Sequence, residues 1–133
     1  VIYLLLIWLL LPIPIGNQVA AYNTLSQTFF CVDQYYCWHE EAHYIDFQNG
    51  MISHSKEYKE VIIIYVFTNN NDLSRQIVGM LGNPIEEIYA EIYARTNGSP
   101  PEIMKPFYPD YQLAYLSVFG GKFYYGIHNT NKR

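Results

Sequence analysis

Positive charge is scarce in this chain of 133 residues. Lys and Arg total 8 against 12 Asp and Glu, a net charge of −4. A surface that follows a nucleic acid backbone needs the opposite balance, so no nucleic acid partner is expected. Cysteine is scarcer still: two cannot build a disulfide scaffold or a four-cysteine zinc site. The longest apolar stretch, residues 1–15, falls short of the roughly 18 residues of a confident membrane span. No internal repeat is present. What the chain does have is apolar and aromatic residues, 50% and 17% of the total. That is enough to bury a core, which excludes wholesale disorder, and the length suits one domain.

No charged residue and no histidine precedes Asp33. The run VIYLLLIWLLL, broken by Pro12 and Pro14, has the length of a signal-peptide core, and Val19-Ala20-Ala21 would serve as a small-residue cleavage site. Residues 1–21 are therefore expected to be a signal peptide or membrane anchor, and residues 22–133 the working domain. The protein is then secreted or membrane-anchored, with residues 1–15 offering membrane contact. The competing expectation is a buried N-terminal strand or helix.

Residues 22–31 suit an extended segment. Asp33 is a helix cap for QYYCWHEEAHYIDFQ, which stops at Asn49-Gly50. A second helix starts near Ser53 or Ser55, although its β-branched run, residues 61–64, suits a strand equally well. A short helix covers residues 72–81. Asn83 is the expected cap of the next helix, with Pro84 at its first position and Glu86 and Glu87 in its first turn. A last helix is expected over residues 110–118, and FYYGI reads as a short strand. The fold class is thus α+β, mostly helical, with a small strand layer ahead of the second-quarter helix. Were Cys31 and Cys37 both helical, they would point about 120° apart around the axis and could not bridge. A disulfide requires Cys31 in the extended segment; two buried thiols are the slightly favoured expectation.

His39-Glu40-Glu41-Ala42-His43 is an H-E-x-x-H motif. Four-residue spacing puts both imidazoles on one helical face, where they can share one Zn²⁺ at about 2.0–2.1 Å. Glu40 then sits beside the first ligand as general base. A catalytic zinc usually takes three protein ligands and a water. The metzincin pattern would place Gly at position 46 and His at position 49; Asp46 and Asn49 exclude it. Glu87, on the downstream helix, is the expected third ligand, with Glu91 on the same face beside it. Simple dipole complementarity accounts best for Glu86 and least for Glu91. Asp46, about one turn after His43, is placed to hold an imidazole tautomer. His54 reads as a loop residue.

HEEAHYID, then SKEYKEV, then EEIYAEIYAR together resemble the catalytic domain of anthrax lethal factor and the related secreted Pro-Pro endopeptidases, over about residues 19–118. The resemblance implies a compact zincin-like (gluzincin-type) fold, one Zn²⁺ per chain, and hydrolysis of a peptide or protein substrate. It assigns His39, His43 and Glu87 to the metal, Glu40 to catalysis, and Asp46 and Glu91 to their support. The family's oxyanion-stabilising Tyr falls where this chain has Gly79, Met80 and Leu81. Tyr89, Tyr93 and His128 are substitutes able to donate to a developing oxyanion. That unfilled position motivates a second reading, a zincin-like metal-binding protein without peptidase activity. A third is a small membrane-associated structural protein in which the motif is accidental.

Overall fold

Asp33 opens the first helix of the chain's computed structural model, which describes residues 20–23 and 26–129. Its carboxylate accepts from the Tyr36 amide at 2.9 Å, and α1 runs Gln34–Gln48. Gly50, at φ 72°, closes the helix in a Schellman turn in which the Met51 amide donates back to the Asp46 carbonyl. The expected start and stop both hold. The expectations for residues 1–19 lie outside the described residues.

Among the described residues, four α-helices and a four-stranded sheet make a mixed α+β protein. They divide into two compact units, and the division falls within α1 after Glu40. The first unit carries the sheet. Strands β1 (Ala20–Asn23) and β2 (Thr28–Cys31) form an antiparallel pair; β3 (Gln112–Phe119) and β4 (Lys122–Asn129) form another. Parallel pairing of β2 with β3 joins them in the order β1-β2-β3-β4. Two expectations are corrected here. Residues 110–118 are not a helix: all but the first two lie in β3. The strand layer also does not simply precede α1, since half of it comes from the far end of the chain. The reason is long-range pairing, Thr28 to Cys31 against Ala114 to Ser117, which overrides a local pattern that fits either structure. β1 also includes Ala20 and Ala21.

The two cysteines are joined. Cys31 ends β2 and Cys37 lies in the first turns of α1, with their Cα atoms 5.2 Å apart. This meets the condition set by the sequence, an extended Cys31, and overturns the expectation of two thiols.

The second unit holds α2 (Lys56–Thr68), α3 (Asp72–Met80) and α4 (Ile85–Arg95), with short 3-10 turns at Ile52–His54 and Lys105–Phe107. Ser55 caps α2, so the β-branched run is helical; Tyr58, Ile62 and Tyr65 form its buried stripe. Asn71 and Ser74 cap α3 reciprocally. Pro84, not Asn83, caps α4, which begins one residue later than expected. The core of this unit is tyrosine-rich. Tyr58, Tyr89 and Tyr93 are almost fully buried, and Tyr108 stacks on Tyr89 and Tyr93 at 4.2 and 5.5 Å between ring centroids. Tyr108 donates to the Tyr89 carbonyl at 2.9 Å, which leaves Tyr58 as the donor in its 2.8 Å bond to the Tyr108 oxygen. Buried hydroxyls thus satisfy one another. Among the described residues no helix is long and apolar enough to cross a membrane.

Candidate metal centre

Because α1 is continuous from Gln34 to Gln48, His39 and His43 stack one turn apart on it. Glu87 lies in the first turn of α4, where its carboxylate complements the helix dipole. Its Oε1 is 3.2 Å from His43 Nε2. One ligand atom from each of His39, His43 and Glu87 falls within 4.8 Å of the others. Ligands at 2.0–2.1 Å from a tetrahedral ion are about 3.3 Å apart. The His43–Glu87 pair already has that spacing. Partial exposure of all three leaves a way in for an ion.

The other residues singled out by the sequence are placed differently. Glu40 is half-buried, next to His39 on α1. The carboxylate of Asp46 is bound by Ser53. It is 1% exposed, and its two oxygens accept from the Ser53 amide at 2.8 Å and the Ser53 hydroxyl at 2.6 Å. The carboxylate ties the end of α1 to the 3-10 turn that follows. Glu91 forms an ion pair with Arg95, one turn on along α4, at 2.9 Å. Tyr89 is fully buried and donates to the Phe107 carbonyl. Tyr93 is 2% exposed beneath Tyr108. Burial pushes the hydroxyls of Tyr58, Tyr89 and Tyr108 well above the usual tyrosine range, with the charge of Asp46 acting in the same direction. Two of the three oxyanion candidates are therefore core residues. His128 lies on β4, its ring 5.4 Å from Trp38 and its Nδ1 3.2 Å from the Tyr111 hydroxyl.

One pairing was not legible beforehand. His54 lies in the 3-10 turn, and its Nε2 is 3.0 Å from Glu86 Oε2. Adjacent glutamates at the start of α4 thus meet two different imidazoles, His54 and His43. The doubled Glu86-Glu87 was the only signal in the sequence, and it could not say which histidine each would meet. A depression of about 530 Å³ in the second unit is lined by Asn49, Met51, His54, Glu57 and Phe107 among others, and by none of the converging three.

No family model matches the chain, and no curated protein or solved structure matches it either.

Proposed function

We propose that this protein is a zinc-dependent endopeptidase with a zincin-like arrangement of α1 and α4. The observation that carries the reading is the convergence of His39, His43 and Glu87 from two helices to within 4.8 Å. Two imidazoles and one carboxylate are a donor set suited to a catalytic zinc with one open position. Bound there, zinc would supply a Lewis acid that polarises the scissile carbonyl and acidifies a water to a pKa of about 7. Glu40 takes a proton from the attacking water and returns it to the leaving amine. An extended substrate adds, backbone to backbone, alongside β1, which ends the sheet order among the described residues. On this reading the protein acts outside the cytoplasm or at a membrane.

Burial of Tyr89 and Tyr93 favours one other reading, a metal-binding protein with this ligand set and no peptidase activity. Mass spectrometry of purified protein tests both. About one zinc per chain is expected, lost in His39→Ala and in Glu87→Ala; no zinc in the parent protein sinks both readings. Screening a peptide library then separates them. Cleavage abolished by Glu40→Gln supports the enzyme, whereas a zinc-loaded protein that cleaves nothing supports the binding protein.

A further inference from the structure

Three of the four helices are fastened at their start by a side chain. Asp33 accepts from the Tyr36 amide, Ser55 from the Tyr58 amide at 3.2 Å, and Asn71 from the Ser74 amide at 2.9 Å. α4 is the exception. The residue at its start is Pro84, whose side chain makes no capping bond. The chain arrives there through Gly82, at φ 107°, where the backbone is least restricted. Yet this is the helix whose first turn presents Glu87 to His43. Metal ligands must lie within about 0.2 Å of their proper distances, so this turn gains most from a tether.

His54 and Glu86 supply one. His54 Nε2 is 3.0 Å from Glu86 Oε2. His54 is itself held, since its amide donates to the Met51 carbonyl at 3.0 Å. Ser53, just before it, is fully buried and donates through its amide and its hydroxyl to Asp46 of α1. The 3-10 turn thus grips α1 through Ser53 and α4 through His54. Asp46 follows His43 by three residues on α1, so a circuit closes: His43, Asp46, Ser53, His54, Glu86, Glu87, and back to His43. All six residues belong to the second unit. The polar links of the circuit are 2.6–3.2 Å long.

We infer that His54, acting through Glu86, is a positioning residue of the metal centre: it sets the rotation of α4 and with it the reach of Glu87. This rests on the metal-centre reading above. Consecutive helical residues point about 100° apart, so Glu86 and Glu87 are held from two directions. One contact lets the turn swivel about the helix axis; two fix it. A carboxylate lies about 6 Å from that axis, so a swivel of roughly 10° carries it about 1 Å. That is several times what a metal bond tolerates. His54 is not one of the converging three, and it acts only through α4. Its side chain and that of Glu86 are 51% and 34% exposed, so the pair adds little to global stability. Its effect is read at the metal.

Competition with a chromophoric chelator measures the zinc dissociation constant of the full chain, and the visible spectrum of its cobalt-substituted form reports ligand number and geometry. His54→Ala should raise the dissociation constant about 10-fold and weaken the tetrahedral cobalt bands, with the melting temperature of the metal-free protein nearly unchanged. His54→Gln keeps an N–H donor of similar reach and should recover the parent affinity to within about threefold. Glu86→Ala should match His54→Ala, and the double variant should be no weaker than either, because the two side chains share one interaction. Glu60→Gln breaks another exposed pair of this unit, with Lys56, and should leave zinc affinity unaltered. A parent protein that binds no zinc removes the metal centre, and the positioning role falls with it. A zinc-binding parent whose affinity survives His54→Ala overturns the positioning role and leaves the centre standing. So does a loss in Glu86→Ala alone, which would mean that Glu86 acts by its charge. So does a loss that His54→Gln fails to recover, or one matched by a fall in melting temperature, which would mark simple unfolding.

Discussion

Asp46→Ala separates a structural carboxylate from one that supports a metal site. In the structure Asp46 is 1% exposed and accepts two bonds from Ser53, itself fully buried. Removing the carboxylate leaves a buried amide and a buried hydroxyl without acceptors. Each such orphan costs about 1–3 kcal/mol; the hydroxyl can turn to recover part of its share. A net loss of about 3–4 kcal/mol is expected, out of a total stability on the order of 5–15 kcal/mol. For a domain of this size that lowers the melting temperature by roughly 10–17 °C. Urea unfolding of the metal-free protein, followed by far-UV circular dichroism, measures it. Asp46→Asn keeps one acceptor for the Ser53 amide and can donate to the Ser53 hydroxyl, so it should lose only about 1–2 kcal/mol. Ser53→Ala should cost a similar amount, and the double variant should fall short of the sum because the two side chains share one interaction. A loss under about 1 kcal/mol in Asp46→Ala, together with zinc affinity weakened 10- to 100-fold, would refute the structural role and restore the metal-supporting one.

Two further outcomes follow from the fold. Replacing Cys31 and Cys37 by serine reopens a loop of about seven residues, which by chain entropy costs about 2 kcal/mol; urea midpoints with and without reductant should show that loss for the parent and none for the variant. Raising the pH should unfold the protein through its tyrosine core. The hydroxyls of Tyr58, Tyr89 and Tyr108 are held above their ordinary value of 10.0, so the folded state keeps their protons while the unfolded state releases them. Their contribution is intact below pH 10 and declines above it, by up to about 1.4 kcal/mol per pH unit for each tyrosine. Absorbance at 295 nm should show these three ionising only with loss of the dichroism signal. Their titration near pH 10 in a protein still folded would contradict this.

The sequence by itself determined the features whose physics is local. Asp33 and Ser55 cap helices because their side chains reach amides three residues on. Asn49-Gly50 and Asn97-Gly98 stop helices because they accept positive φ at little cost. The shared face of His39 and His43 follows from the pitch of a helix, and the acidic start of α4 from its dipole. Tertiary structure decided whatever depends on a distant partner. Residues 112–119 are a strand because β2 lies alongside them. The run at residues 61–64 is helical because Tyr58, Ile62 and Tyr65 find a core on one side only. Cys31 reaches Cys37 because a strand end and a helix start bring their Cα atoms within 5.2 Å. Asp46 had the spacing to serve a histidine, yet it binds Ser53, since a buried carboxylate takes the donors that a following turn delivers. Glu87 meets His43, and Glu86 meets His54, only through the packing of α4. Spacing along a chain fixes which face a side chain occupies; which group it meets there is set by the elements that pack against that face.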